Sequence, residues 1–173
     1  VCQSLNGIDG LFVSRIGFVA ITLLPPLGIH TINIIAGRRR NWSTFAAYIL
    51  AGSFIVYFLV APSSINDSIC SGNYVIFRLA QTASLAYGAY YFTLLCCIIA
   101  LSVYLAIIQK NAKKRRALWW MLVGSLGFLV PTGVAYFVFP DTSNGIPSIM
   151  CGFAVIYAVV LSLRVVPLAS SQK

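Results

Sequence analysis

The stretch LLPPLGIHTINIIAGRRR, residues 23–40, decides how the rest of the chain is interpreted. It ends an apolar run that begins near Leu11, and it contains the chain's single histidine, its Pro-Pro pair and its first basic cluster. A run of this length can cross a bilayer, which takes about 20 apolar residues. The arginines that close the run then fix the side on which it ends, and every later span inherits that orientation.

Composition indicates that lipid is the solvent of this chain. Hydrophobic residues make up 60% of the 173 positions and charged residues 9%, whereas roughly a quarter of the residues in a soluble domain are charged. The net charge of +9 comes from short stretches between apolar runs. Basic residues placed in this way set topology and attract anionic headgroups. We therefore expect membrane lipids as partners and no nucleic acid.

Hydropathy predicts an all-α, polytopic integral membrane protein with five transmembrane helices in a single domain, residues 1–173. The predicted spans cover about residues 11–36, 42–60, 85–108, 117–139 and 148–166. Pro25, Pro26 and Pro131 lie inside spans and are expected to bend their helices. The carbonyls that they free need donors from neighbouring helices or from hydroxyls such as that of Thr22.

The segment between the second and third spans is polar at first and aromatic later. Residues 61–73 predict a loop, and residues 74–84 predict an outer or interfacial helix. We expect Tyr74, Tyr87, Tyr90 and Tyr91 to cluster near the outer interface as an aromatic belt.

The distribution of charges predicts the orientation. All three acids fall on one side of a five-span topology, together with Arg15 and Arg78. The other ten of the twelve basic residues fall on the opposite side: Arg38, Arg39, Arg40, Lys110, Lys113, Lys114, Arg115, Arg116, Arg164 and Lys173. The positive-inside rule then places the N-terminus outside and the C-terminus in the cytoplasm. A four-span alternative would split the basic stretches across the bilayer.

Few residues in the predicted spans carry chemistry. The chain has no glutamate, and its three aspartates lie in loops, so a carboxylate proton relay lacks its usual residues. One histidine provides neither two haem ligands nor a multi-histidine metal site. We therefore expect no cofactor, no metal site and no enzymatic activity. The adjacent Cys96 and Cys97 leave a membrane thiol oxidoreductase as a minor alternative, although buried thiols in apolar surroundings are usually inert.

Three basic or titratable residues are candidates for a ligand site or a switch. His30 lies eight residues before Arg38, roughly 12 Å inside the boundary at helical rise, where a neutral imidazole needs a hydrogen-bond partner. Two roles are open for His30. It is either a ligand contact or pH-sensitive switch, or it forms an interhelical hydrogen bond that orients the first span. Arg15 and Arg78, both near the outer surface, either flank an anionic ligand or mark the interface.

Three cysteines are predicted on the outer side, where disulfides persist. Cys70 and Cys151 lie at the outer ends of two spans and form one plausible pair. Cys2 with either of them is another, and spacing alone does not choose between these pairings.

The motifs of the first span resemble a known module. Residues 15–30 read R-I-G-x5-L-L-P-P-L-x-x-H, and G-R-R-R follows at 37–40. This is similar to the third helix of the seven-helix membrane sensor module of bacterial histidine kinases. The basic stretch 110–116 and the turn 144–147 resemble later parts of that module, so residues 11–166 would cover its last five helices. No phospho-accepting histidine box or ATP-binding motif follows Arg164, so the resemblance does not imply kinase activity.

Two functional hypotheses follow. The first is a non-catalytic sensor or signal-coupling module in the bacterial cytoplasmic membrane, which responds to a ligand or to a partner protein. The second is a structural or accessory subunit of a larger membrane complex. In both, the partners are other membrane or cytoplasmic signalling proteins. The cytoplasmic docking residues would be the basic stretches, with Arg38, Arg39, Arg40, Lys113, Lys114, Arg115 and Arg116.

Overall fold

The computed structural model describes residues 10–38, 41–61, 65–71, 74–79, 81–138 and 155–170. In chain order its elements are α1 (Gly10–Ile35), α2 (Trp42–Val60), β1 (Ile65–Ser71), β2 (Tyr74–Leu79), α3 (Gln81–Ile108) and α4 (Ala112–Val138). The last helix, α5, is apolar over Val155–Ala169. It contains one π-helical turn at Leu161–Val165.

Four helices are long and apolar enough to cross a membrane: Arg15–Ala36, Trp42–Val60, Ala83–Ile108 and Ala112–Val134. The predicted bundle with several membrane-length apolar helices is therefore confirmed. The first two helices match the predicted spans to within a residue. Residues 148–154, the start of the predicted fifth span, lie outside the described residues.

The segment before α3 differs from the prediction. An interfacial helix was expected over residues 74–84, but Tyr74–Leu79 forms a strand that pairs antiparallel with Ile65–Ser71. β-branched and aromatic residues dominate this segment and favour a strand. The two residues that join the strands in sequence, Gly72 and Asn73, are typical of two-residue hairpin loops. The helical prediction is therefore wrong for residues 74–79, while residues 81–84 do belong to a helix, α3. The loop prediction is wrong for Ile65–Ser71, which forms the partner strand.

α4 begins five residues earlier than predicted, at Ala112 instead of residue 117. Asn111 caps it: the side-chain oxygen Oδ1 accepts from the backbone N–H groups of Lys113, at 3.0 Å, and Lys114, at 3.3 Å. The dense basic stretch was expected in a loop. Instead it occupies the first turn of a helix, because asparagine is a strong N-cap and lysine and arginine are good helix formers.

α1 packs against α2, α3 and α4. α4 packs in turn against α3 and α5. Close approach between α1 and α3 depends on Gly28, where an added Cβ would lie 2.7 Å from Cδ1 of Ile98. Large apolar side chains cover the outer surfaces of the helices, which is the arrangement that a lipid solvent requires.

Candidate functional site

The proline pair lies in the middle of α1, and both rings are buried. Pro26 has no N–H, so the carbonyl of Thr22, four residues earlier, loses its helical donor. The hydroxyl of Tyr90 on α3 donates to that carbonyl at 2.8 Å. The expectation that a neighbouring helix supplies a donor is therefore met for this carbonyl.

The Thr22 hydroxyl has two further contacts. It donates to the carbonyl of Phe18 at 2.6 Å, and it lies 3.2 Å from the hydroxyl of Tyr87 on α3. Thr22 is fully buried, so these groups exchange hydrogen bonds away from lipid and water. We call Thr22, Tyr87 and Tyr90 the threonine–tyrosine contact, and it links α1 to α3 beside the proline pair.

An aromatic cluster surrounds this contact and joins three helices. It consists of Phe18 on α1, Phe54 and Phe58 on α2, and Tyr87 and Tyr90 on α3. Phe18 and Phe58 have ring centroids 5.1 Å apart, and Phe54 and Tyr90 are 4.8 Å apart. Tyr87 meets Phe58 edge to face at 5.2 Å, a geometry that the ring quadrupoles favour.

The tyrosines of α3 correct one prediction. Tyr87, Tyr90 and Tyr91 were expected to form an aromatic belt at the outer interface, but each is at most 8% exposed and faces the other helices. The Thr22 carbonyl, which Pro26 leaves without a helical donor, explains the inward position of Tyr90, because a buried acceptor needs a buried donor.

His30 has a hydrogen-bond partner on the neighbouring helix. Its Nδ1 lies 3.2 Å from the hydroxyl of Tyr48 on α2, and the two rings meet nearly perpendicular at a centroid distance of 5.8 Å. This is the interhelical hydrogen bond that was one of the two expectations for His30. The ligand or switch role of His30 stays a prediction.

A second polar cluster, which the sequence reasoning missed, connects α1 to α2. Asn33 is 1% exposed, and its amide donates to Thr44 at 2.8 Å and to Ser43 at 3.4 Å. Its side-chain oxygen accepts from Asn41 at 3.2 Å. A lone asparagine near the end of an apolar helix was the available signal, because an amide at that depth must be satisfied by a neighbour.

Arg15 and Arg78 lie in different structural surroundings. The Nη1 of Arg15 donates to the carbonyl of Leu59, in the last turn of α2, at 3.3 Å. A cation is favourable there because helix C-termini carry partial negative charge. The Nε atom of Arg15 is buried without a partner among the described residues. Arg78 lies on β2 opposite Asp67 in the strand register, and the structure describes only its backbone.

The second proline-containing helix, α4, packs closely against α5. Pro131 lies inside α4, and Gly124, two turns before it, faces Tyr157. A Cβ at Gly124 would lie 2.9 Å from the Tyr157 ring. The Tyr157 hydroxyl lies 3.7 Å from the Met121 sulfur. The missing side chain at Gly124 is therefore what lets α5 approach α4.

The structure describes the side chains of two of the five cysteines. Cys96 and Cys97 are free thiols on the exposed side of α3, where lipid would surround them. The predicted Cys70–Cys151 disulfide is untested: Cys151 lies outside the described residues, and Cys70 is described only as backbone in β1.

Two of the described basic residues, Arg38 and Lys114, lie at the same end of the bundle. The Nζ of Lys114, on the first turn of α4, lies 3.6 Å from where a Cβ of Gly37 would be, just beyond α1. The guanidinium of Arg164 lies 5.3 Å from the ring centre of Trp120. Arg39 and Arg40 lie outside the described residues, while Arg38 is exposed beside Gly37.

Within the described ranges, no group of three or more histidine, cysteine or acidic residues is placed to hold a metal ion. The arrangement is one of hydrogen bonds between helices, concentrated on α1. Comparison with protein-family models, with curated proteins and with solved structures finds no match for this chain.

Proposed function

We propose that this protein is a non-catalytic membrane sensor or signal-coupling module. The observation that carries the proposal is the threonine–tyrosine contact beside the proline pair. There a hydroxyl of α3 replaces the backbone donor that Pro26 lacks. A side-chain donor can be exchanged for another donor far more easily than a backbone donor within a helix. The contact is therefore a place where α1 can change its position relative to α3.

The hydrogen bonds of this contact are weak enough for two helix arrangements to be populated. Interhelical hydrogen bonds in membrane proteins average about 0.6 kcal/mol, with a maximum near 1.7 kcal/mol. Two conformations that differ by a few kcal/mol are both populated, and a ligand that binds one of them better shifts the balance. Breaking or forming one or two such bonds on α1 has the size needed for that difference.

The other polar contacts of α1 extend the same argument. His30 bonds to Tyr48 on α2, and Arg15 bonds to the end of α2. A ligand that competes for either partner would move α1 relative to α2. Together with the resemblance of residues 15–40 to a helix of the kinase sensor module, these contacts support His30 and Arg15 as ligand or switch residues. Arg78 is the further candidate at the outer side.

A measurement of helix movement tests this proposal. Nitroxide labels replace Phe12 on α1 and Phe92 on α3, both exposed, in a variant without other cysteines. Pulsed dipolar spectroscopy in lipid should give a distance distribution that shifts when Tyr90→Phe is added. A control pair at Ile34 and Tyr104, near the opposite ends of these helices, should shift less. A single distribution that is unchanged by Tyr90→Phe would remove the basis of the sensor proposal.

We propose that the bundle has its N-terminus outside and its C-terminus in the cytoplasm of a bacterial inner membrane. The gathering of Lys114 and Arg38 at one end supports this orientation, since cationic residues favour the cytoplasmic side. A reporter fused after Lys173 should be cytoplasmic. Neutral replacement of Arg38, Arg39 and Arg40 should reduce that fraction. An external reporter in the unaltered chain would contradict the orientation.

A structural subunit of a membrane complex is the second candidate, and α2 favours it. Of the four membrane-length helices, α2 is the least covered by the rest of the protein: only 17% of its 18-residue apolar stretch is buried. A Cβ at Gly52 would meet nothing within 4 Å, and small residues on an open helix face allow another helix to approach. Purification in mild detergent separates the two candidates. Recovery only in a stoichiometric complex would favour the subunit, while a lone chain stabilised by a small molecule would favour the sensor.

A further inference from the structure

The turn after α1 has an unusual neighbour. Gly37 has φ +83°, and the backbone N–H groups of Gly37 and Arg38 donate to the carbonyls of Ile34, at 3.0 Å, and Asn33, at 2.7 Å. This pattern is the Schellman motif that ends helices at glycine. The Lys114 ammonium lies over this turn, 3.6 Å from where a Cβ of Gly37 would be. Arg38 follows Gly37 directly, so the turn brings an arginine of α1 and a lysine of α4 to the same place.

The two segments that meet at this place are strongly basic in sequence. Lys113, Lys114, Arg115 and Arg116 all lie within the first five residues of α4. The start of a helix carries partial positive charge, so cations there are unfavourable. No acidic residue occurs in residues 37–42 or 109–116. The backbone N–H groups of Lys113 and Lys114 already donate to Asn111, so an anion here would be bound by side chains such as those of Lys114 and Arg38.

Tryptophans near this end indicate its depth. Trp42, at the start of α2, is 76% exposed, and Trp119, on the second turn of α4, is 44% exposed. Exposed tryptophans at the ends of membrane helices lie at the level of the lipid headgroups. Lys114 and Arg38 are therefore at phosphate level, which favours a lipid over a soluble acidic partner.

We propose that Arg38 and Lys114 bind the phosphate of an anionic phospholipid at the Gly37 turn. The glycine leaves room for the ammonium beside the backbone, and the two cations meet one phosphate from two helices. Such a lipid would link the end of α1 to the start of α4. The proposal does not depend on the signalling role.

The test is native mass spectrometry of the full chain in non-ionic detergent, titrated with phosphatidylglycerol. Lys114→Ala and Arg38→Ala should each weaken binding about five-fold, the effect of losing one cation at a lipid phosphate. Lys114→Arg should stay within about two-fold of the unaltered chain. The matched control is Lys110→Ala, which removes an exposed cation of the same stretch outside α4 and should also stay within about two-fold. Circular dichroism checks that each variant is folded.

Three results would overturn the proposal. One is unchanged binding in Lys114→Ala. Another is an equal loss in Lys110→Ala, which would mean that net charge alone attracts the lipid. The third is displacement of the lipid by millimolar inorganic phosphate, which would make the turn a site for the free anion. Phosphatidylcholine, titrated in the same way, should bind no better to the unaltered chain than to Lys114→Ala.

Discussion

Replacing Tyr90 with phenylalanine tests the central contact of the bundle with the loss of one oxygen atom. The tyrosine ring is 8% exposed and packs against Phe54 at 4.8 Å, so phenylalanine keeps the packing. What is lost is the 2.8 Å hydrogen bond to the Thr22 carbonyl. Because Pro26 provides no N–H, that carbonyl has no helical donor to return to.

The loss of stability in Tyr90→Phe can be estimated from the Thr22 carbonyl that is left without a donor. An unsatisfied buried acceptor costs about 1–3 kcal/mol, and the strongest interhelical hydrogen bonds in membranes reach about 1.7 kcal/mol. We expect Tyr90→Phe to lower the free energy of unfolding by about 1.5 kcal/mol, a roughly twelve-fold change in the equilibrium constant. Tyr104→Phe is the matched control on the same helix, since Tyr104 is 55% exposed, and it should change stability by less than about 0.5 kcal/mol.

The assay is reversible unfolding in mixed micelles as the mole fraction of dodecyl sulfate is raised, followed by circular dichroism. A double-mutant cycle with Pro26→Ala identifies the cause. The restored N–H at position 26 can donate to the Thr22 carbonyl, so Tyr90→Phe should cost about 1 kcal/mol less in that background. An equal cost in both backgrounds would refute the role assigned to Pro26. Equal effects of Tyr90→Phe and Tyr104→Phe would refute the hydrogen bond itself.

Three smaller predictions use the same assay. Gly124→Ala should destabilise the protein relative to Gly127→Ala, because a Cβ at Gly124 meets the ring of Tyr157 at 2.9 Å while one at Gly127 meets nothing within 4 Å; equal midpoints would contradict this packing. Gly37→Ala should cost about 1 kcal/mol, because φ there is +83° and only glycine adopts it without strain; a neutral result would mean that the turn relaxes. His30→Leu should cost about 0.6 kcal/mol through the lost bond to Tyr48, and no added effect of Tyr48→Phe in that variant would confirm the pair.

The spans were predictable because length and charge determine them. Bilayer thickness sets the length of an apolar run, and Arg38 and the basic stretch 110–116 delimit the runs at one end. The start of α4 was missed because the same stretch was treated as a loop on account of its charge. The Asn111 cap shows why it is helical: its side chain accepts from the backbone N–H groups of Lys113 and Lys114.

The neighbours of each helix were much harder to predict. In a soluble helix the apolar face is the buried one, but here apolar residues cover both faces. Ile98 is 3% exposed, and Leu85, on the same helix, is 79% exposed. Hydropathy does not distinguish them, because lipid and protein interior are equally apolar. This is also why the tyrosines of α3 were assigned to the interface: nothing in their spacing shows whether they face lipid or protein.

Polar atoms mark an inward face only where the helix itself does not satisfy them. The buried polar residues among those described are Thr22, Asn33, Ser102, Ser125 and Thr132. Ser53, Ser84 and Thr93 also lie in membrane-length helices but are exposed, and the Ser53 hydroxyl donates to the carbonyl of Leu50 on its own helix. A polar group that its own helix leaves without a partner, such as the Asn33 amide, is therefore the kind that predicts a neighbouring helix.

The proline pair shows how far this rule extends. Pro26 in the sequence is enough to predict that the Thr22 carbonyl lacks its helical donor, since each helical N–H bonds to the carbonyl four residues earlier. It does not identify the donor, which depends on which helix packs there. Tyr90 supplies it because α3 is the helix that packs against α1 at this level. The acceptor, the Thr22 carbonyl, thus follows from local backbone chemistry, while the donor, the Tyr90 hydroxyl, follows from helix packing. The threonine–tyrosine contact, which the proposed signalling would move, depends on both.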